Sequence, residues 1–581
     1  MKMRLLVCLF CCFSASAVAA SQSLATLLDE VWQFELAANP VSATGYGIHD
    51  YDARLADISP KGLEQQYQQR LQFLARLNKL DNPSLDQTEK VNLTIQRREL
   101  QNAIDEYEYH AHYMPLTSEY GFHSGLAFLP QSSRFNTVQD YQHYLSRLNQ
   151  FKSWFAQQIS WMRKGLETGL TQPKAVLVNY QDSVSAFIHD TPQQSLFYQP
   201  FEALDKLAIS QVEQQKLIQQ AEQAITDSVY PAYQAYYDFL VKEYLPNAKQ
   251  TIAAKDWPQG ETYYQNRTAY YTTTDMSAKD IHQLGLAEVK RIRGQMQTIV
   301  DNLQFDGDIN QFIEVLRTDP RFYAKTAEEL LKQASYIAKK VDSKLPKLFH
   351  KLPRTPYGVA PVPDSIAPKY TTGRYISPSK DDEPGYYWVN TYALDKRPLY
   401  ALTALTMHEA VPGHHLQISL AQEMGDLPPI RRNSYISAFG EGWGLYSEFL
   451  GVEVGMYQDP YDDFGRLSYE MWRACRLVVD TGMHLMGWSR QQAVDYMLEN
   501  TALSEHNVNT EVDRYISWPA QALSYKIGEI TIKRLRHQAE QALGDKFDLR
   551  AFHDAVLEQG SIPLNMLEQH IQQFIQQQAK G

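Results

Sequence analysis

The sequence predicts a mainly α-helical chain with one small sheet near residue 385. Apolar residues recur at three- and four-residue spacing along most of its 581 positions, as a buried helix face requires. One stretch, Pro346–Pro398, interrupts that rhythm with nine prolines and few helix signals. With 44% apolar and 21% charged residues, the chain is neither disordered nor fibrous, and its length supports a large core.

The first element is an export signal. Lys2 and Arg4 precede an apolar run, Leu5–Phe13, and the small residues Ser14–Ala20 place cleavage after Ala19 or Ala20. The run is too short for a bilayer, which takes about 20 residues. Three of the four cysteines lie inside the signal in no lipoprotein cleavage context, and Cys475 alone has no internal partner. The expected product is periplasmic or secreted, without a membrane span.

Helices follow over Ser23–Phe34, Leu63–Leu80, Thr88–Tyr109, Val138–Thr168 and Ile209–Tyr244, then Ser277–Leu303 and Ala327–Leu345. Asp81-Asn82-Pro83 and Thr171-Gln172-Pro173 mark turns. Inside the proline-rich stretch, Gly385-Tyr-Tyr-Trp-Val-Asn390 is aromatic and β-branched and reads as a strand; Pro384 before it suggests a sheet edge. Helical periodicity resumes at Leu399. The predicted division is a signal at 1–20, an N-terminal helical region at 21–345 and a catalytic region at 346–581.

Charge narrows the function. With 55 basic against 67 acidic residues and a net charge of −12, the chain lacks the basic footprint of a nucleic-acid binder.

The chemistry concentrates in Thr406-Met-His408-Glu409-Ala-Val-Pro412-Gly413-His414-His415. Zinc peptidases carry H-E-x-x-H on a helix, with two imidazoles one turn apart and the glutamate acting as base. Here the second histidine comes six residues after the first. On an ideal helix such positions lie about 120° round and about 9 Å along the axis, too far apart to share an ion. Pro412 breaks the helix and Gly413 permits a sharp turn, so Pro-Gly is expected to bulge and return His414 to the site, with His415 as the substitute. Glu441, in Phe-Gly-Glu441-Gly-Trp-Gly, is the expected third ligand; Glu448 would orient a ligating histidine.

Downstream, Arg476, Asp480 and His484 share a helix face, and Glu511–Lys526 offers Arg514, Tyr515, Tyr525 and Lys526. Tyr525 or His484 would stabilise an oxyanion. Arg514 or Lys526 would clamp a carboxylate. The strand at Gly385–Asn390, with Tyr387 and Asn390, would pair with an extended peptide.

Taken in order, PGYYWVNT, LTMHEAVPGHHLQ, FGEGWGLYSE, DTGMH and PAQALSYKIG resemble the bacterial family of domain of unknown function 885, grouped with zincin-like metallopeptidases of gluzincin type. The resemblance implies a large helical zincin-like fold with a channel between two helical halves. It implies one Zn²⁺ on His408, His414 and Glu441, Glu409 as general base, and hydrolysis of short peptides. Two rival readings stand beside it: a zinc-dependent amidase of another substrate class, and a non-catalytic periplasmic binding protein with a decayed site.

Overall fold

The computed structural model describes residues 23–80, 85–364, 366–378, 383–425 and 427–580. The expected export signal and the Asp81-Asn82-Pro83 turn lie outside these residues. The fold is mainly α-helical, and among the described residues no helix is long and apolar enough to cross a membrane. The chain divides into two compact units, the first ending at Thr251 and the second starting at Ile252, so the compositional change at residue 346 falls inside the second unit.

In the first unit, α1 (23–38), α2 (Pro60–Asn78) and α3 (Gln87–Glu108) share a core of Leu24, Leu27, Leu28, Val31, Phe73, Leu77, Leu93 and Leu100. Asp86 caps α3: its carboxylate accepts from Glu89 N, and the Glu89 side chain receives the Asp86 N–H. The longest helix, α4 (Val138–Thr168), starts at a Thr137–Asp140 capping box and stops at Gly169, whose φ of +76° suits a residue without Cβ. Its buried face carries Tyr144, Leu148, Phe151, Phe155, Ile159 and Met162. The long helix predicted to end at Tyr244 is one helical run. In it α5 (Gln211–Ala224) and α6 (Tyr230–Phe239) are each followed by a wider π turn, Ile225–Val229 and Leu240–Tyr244.

The second unit is built round a central helix. Its main elements are α7 (Ala278–Asn302), α8 (Leu402–Glu409), α9 (His414–Gln422), α10 (Ser437–Glu453), α11 (Pro460–Leu485), α12 (Glu505–Ser517) and α13 (Ser524–Leu543). Every residue of α11 from Phe464 to His484 is buried, with α7, α8, α12 and α13 packed about it. Glycines bring α10 and α13 together: a Cβ on Gly442 would lie 2.5 Å from Gly528 Cα. All of α8 is buried, which fixes what it carries.

The sheet has three strands, β1 (Tyr357–Pro361), β2 (Gly373–Ile376) and β3 (Gly385–Val389), in the order β1-β3-β2. The strand predicted at 385–390 exists but is central, not at an edge. It runs parallel to β1 and antiparallel to β2. Pro384 misled because it lies one residue before the ladder, where its missing N–H removes no strand bond. With both sides of β3 paired, an added peptide strand has no place on it.

Candidate metal centre

The helix carrying His408 ends at Glu409, and a new helix starts at His414. Pro412 supplies no N–H for a continuing helix, and the break is tight around Gly413. A Cβ there would overlap the His408 carbonyl oxygen. Two bonds lock the break: His415 N–H donates to Ala410 O (3.1 Å), and Trp443 Nε1 donates to Pro412 O (2.8 Å).

The bulge brings His414 back over His408. The two imidazoles lie 4.7 Å apart, nearly perpendicular at 84°. From α10, Glu441 Oε2 approaches His408 Nε2 at 3.5 Å and His414 Nε2 at 3.4 Å. The three donor atoms lie within 4.8 Å of one another, and His408 and His414 are buried. Two imidazole nitrogens and a carboxylate oxygen form a donor set zinc takes in hydrolytic sites, so these residues fit such an ion. Gly444 makes room: a Cβ there would stand 2.7 Å from His408 Nε2.

A second layer holds the donors. His408 Nδ1 is 2.8 Å from Glu448 Oε1, which leaves Nε2 for the centre. Arg473 Nη2 lies 3.4 Å from the same Glu448 oxygen. Burial opposes a charge on His408, but Glu441 and Glu448 outweigh it and hold its pKa up at about 9. Burial likewise opposes the Glu441 charge, yet His414 and His408 keep its carboxyl well below the usual range. These shifts show how strongly the cluster favours opposite charges in one place.

Glu409 Oε2 accepts the Tyr375 N–H from β2 at 2.8 Å. Tyr525, half-buried in the first turn of α13, stacks along His408 with centroids 6.4 Å apart, and the Arg476 guanidinium lies 4.2 Å from its ring centroid. Burial raises the Tyr525 phenol, with Glu441 adding to it and Arg476 opposing. His408, Glu409, His414, Glu441 and Tyr525 thus share one locality.

The other expected site residues belong to the framework. His484 is fully buried between two backbone groups, its Nδ1 accepting Ala254 N–H (3.1 Å) and its Nε2 donating to Tyr515 O (2.9 Å), so it has no donor left for an oxyanion. Lys526 is sealed among Glu470 (2.8 Å), Glu529 (2.6 Å) and Glu288 (3.1 Å). Arg514 pairs with Glu511 (3.0 Å) and donates to Gln521 Oε1 (2.6 Å). Asn390 donates to Ala367, Tyr370 and Thr371 carbonyls, and the buried Tyr387 hydroxyl meets Thr406 Oγ1 at 3.4 Å. Neither cation nor either strand residue is left to meet a ligand. His415 turns away from His414: its Nδ1 lies 3.1 Å from the Tyr375 hydroxyl.

The family described as "Bacterial protein of unknown function (DUF885)" matches residues 40–571. The chain belongs to this family. Among solved structures, this DUF885 protein is similar to "the putative lipoprotein from Colwellia psychrerythraea", with 31% identity, a TM-score of 0.88, and 96% of this chain and 99% of that one covered. It also shares its fold with "a putative lipoprotein of unknown function from Shewanella oneidensis", with 20% identity, a TM-score of 0.71, and 95% and 99% covered. No curated protein matches it.

One DUF885 site residue escaped the sequence reading. Tyr435, 45% exposed overall, turns its hydroxyl onto Glu441 Oε1 at 2.9 Å. Its ring lies over Gly440, where a Cβ would collide with it. A tyrosine six residues before a candidate ligand, with a glycine beside that ligand, was the available signal.

Proposed function

We propose that this protein is an exported zinc-dependent peptidase acting on extended peptides. One observation carries the reading: one ligand atom each from His408, His414 and Glu441 converge within 4.8 Å, beside Glu409, which lies outside that donor set and accepts the Tyr375 N–H. Zinc held there would supply Lewis acidity towards an amide carbonyl. Glu409 takes the proton of the attacking water and returns it to the leaving amine. Tyr525 donates its hydroxyl to the oxyanion.

The substrate class follows from β2. Its Tyr375 N–H points away from β3 and toward Glu409, so the outer edge of this strand runs past the centre, and among the described residues no strand pairs there. Such an edge suits an extended backbone, which takes the place first expected at β3. Export is supported by the signal-like first 20 residues and by the similar Colwellia psychrerythraea protein, described as a "putative lipoprotein".

The test is metal analysis of the purified chain with a peptide-library digest. Zinc at one equivalent and cleavage are expected, with metal lost in His408→Ala and kept in Glu409→Gln. Undiminished cleavage by Glu409→Gln would sink the mechanism.

A further inference from the structure

The paired histidines of the motif face opposite ways. His414 joins the candidate metal centre, whereas His415, buried on the same turn of α9, faces the sheet. Its ring packs on Tyr357 (4.6 Å) and Tyr375 (5.2 Å). Nδ1 sits 3.1 Å from the Tyr375 hydroxyl and 3.3 Å from Ser419 Oγ, one turn along α9. The ring also contacts the Thr355 backbone. The Tyr375 hydroxyl and His415 Nδ1 thus share a hydrogen bond that ties β2 to α9.

Tyr375 is held at both ends. Its backbone N–H donates to Glu409 Oε2, and its hydroxyl, 3.5 Å from Ser419 Oγ, is gripped by α9. The neighbouring strand is shaped for this. A Cβ on Gly385 would overlap the Tyr375 hydroxyl, so glycine there keeps the space open.

We propose that His415 and Tyr375 are positioning residues for Glu409. His415 fixes the phenol, the phenol fixes β2, and the β2 amide fixes one oxygen of the base while its other oxygen stays available. The motif thus uses its third histidine, His415, to aim the carboxylate. This assignment rests on the base role given to Glu409 above, but its geometry is measurable without turnover.

The test is amide hydrogen exchange over residues 372–378 in the full chain, compared among wild type, Tyr375→Phe, His415→Ala and His415→Gln. Tyr375→Phe removes one oxygen and keeps the ring, so it tests the link even where His415→Ala unfolds. The Tyr375 amide is expected to exchange about tenfold faster in Tyr375→Phe and His415→Ala, with His415→Gln restoring most of the protection through its amide oxygen. Zinc stoichiometry should stay at the wild-type value. In a peptide digest the same variants should lower kcat about tenfold with KM held, and His415→Gln should recover it. Wild-type exchange in Tyr375→Phe would overturn the proposal. A wild-type chain that binds zinc but cleaves no peptide would overturn the peptidase reading and leave the exchange result to decide this one.

Discussion

His408 and Glu448 face each other across two helices, with Nδ1 and Oε1 2.8 Å apart and both side chains almost wholly buried. That bond fixes which nitrogen His408 turns to its neighbours. Glu448→Gln keeps an acceptor but loses the charge; Glu448→Ala loses both. Zinc affinity should fall about tenfold in the first and about a hundredfold in the second. A competition titration with a chromophoric chelator reads this directly, and equal affinities in all three chains would refute the role.

Gly413→Ala should abolish zinc binding. The added methyl would meet the His408 carbonyl oxygen and Met407 O, both backbone, so relief requires α8 and α9 to part. Gly425→Ala is the control, because nothing lies within 4 Å of a Cβ there. Metal content of the two purified variants checks the contrast, and full zinc occupancy in Gly413→Ala is the contrary result.

Lys526 serves stability, not ligand binding. Replacing it with Met removes the fully buried cation between Glu470 and Glu529 and leaves them Lys533, with Arg291 and Arg466 also on Glu470. A loss of about 2–3 kcal/mol is expected, below the full cost of an unpaired buried charge because those cations remain. Urea unfolding measures it; a variant as stable as the parent would return Lys526 to the list of ligand-binding candidates.

Acid should weaken the second unit through His484. Burial lowers its pKa to about 4 against an ordinary value of 6.5. The unfolded chain therefore binds the extra proton between those pH values and the folded chain does not. Stability is full above pH 6.5 and falls as pH drops toward 4, by on the order of 3 kcal/mol for one such histidine. His484→Gln should reduce the fall of the urea midpoint over this window, with His553 and other buried histidines supplying the rest, and an unchanged pH slope would contradict the assignment.

Much of the helical framework was legible because it is periodic. Val138–Thr168 reads as a helix from its apolar spacing, and the structure has those limits. The gathering of His408, His414 and Glu441 was legible because Pro-Gly interrupts a known spacing by two residues. What sequence could not separate was a polar side chain used inside the protein from one offered to a ligand. Asn390 looks available in a string of letters, yet three carbonyls claim it. Lys526 resembles a carboxylate clamp until the acids that enclose it arrive from α7, α11 and α13. Tyr435 stayed hidden because its link to Glu441 depends on how the chain enters α10.

The interruption at Pro412-Gly413 carries a mechanical consequence. In an unbroken coil, the gap between two imidazoles is dictated by the pitch and changes only by stretching the coil's own bonds. Here each imidazole rides on its own rigid rod, and the rods meet at a joint pinned by the indole of Trp443. The distance between the two rings is thus set by the angle at which the rods meet, not by the pitch of either.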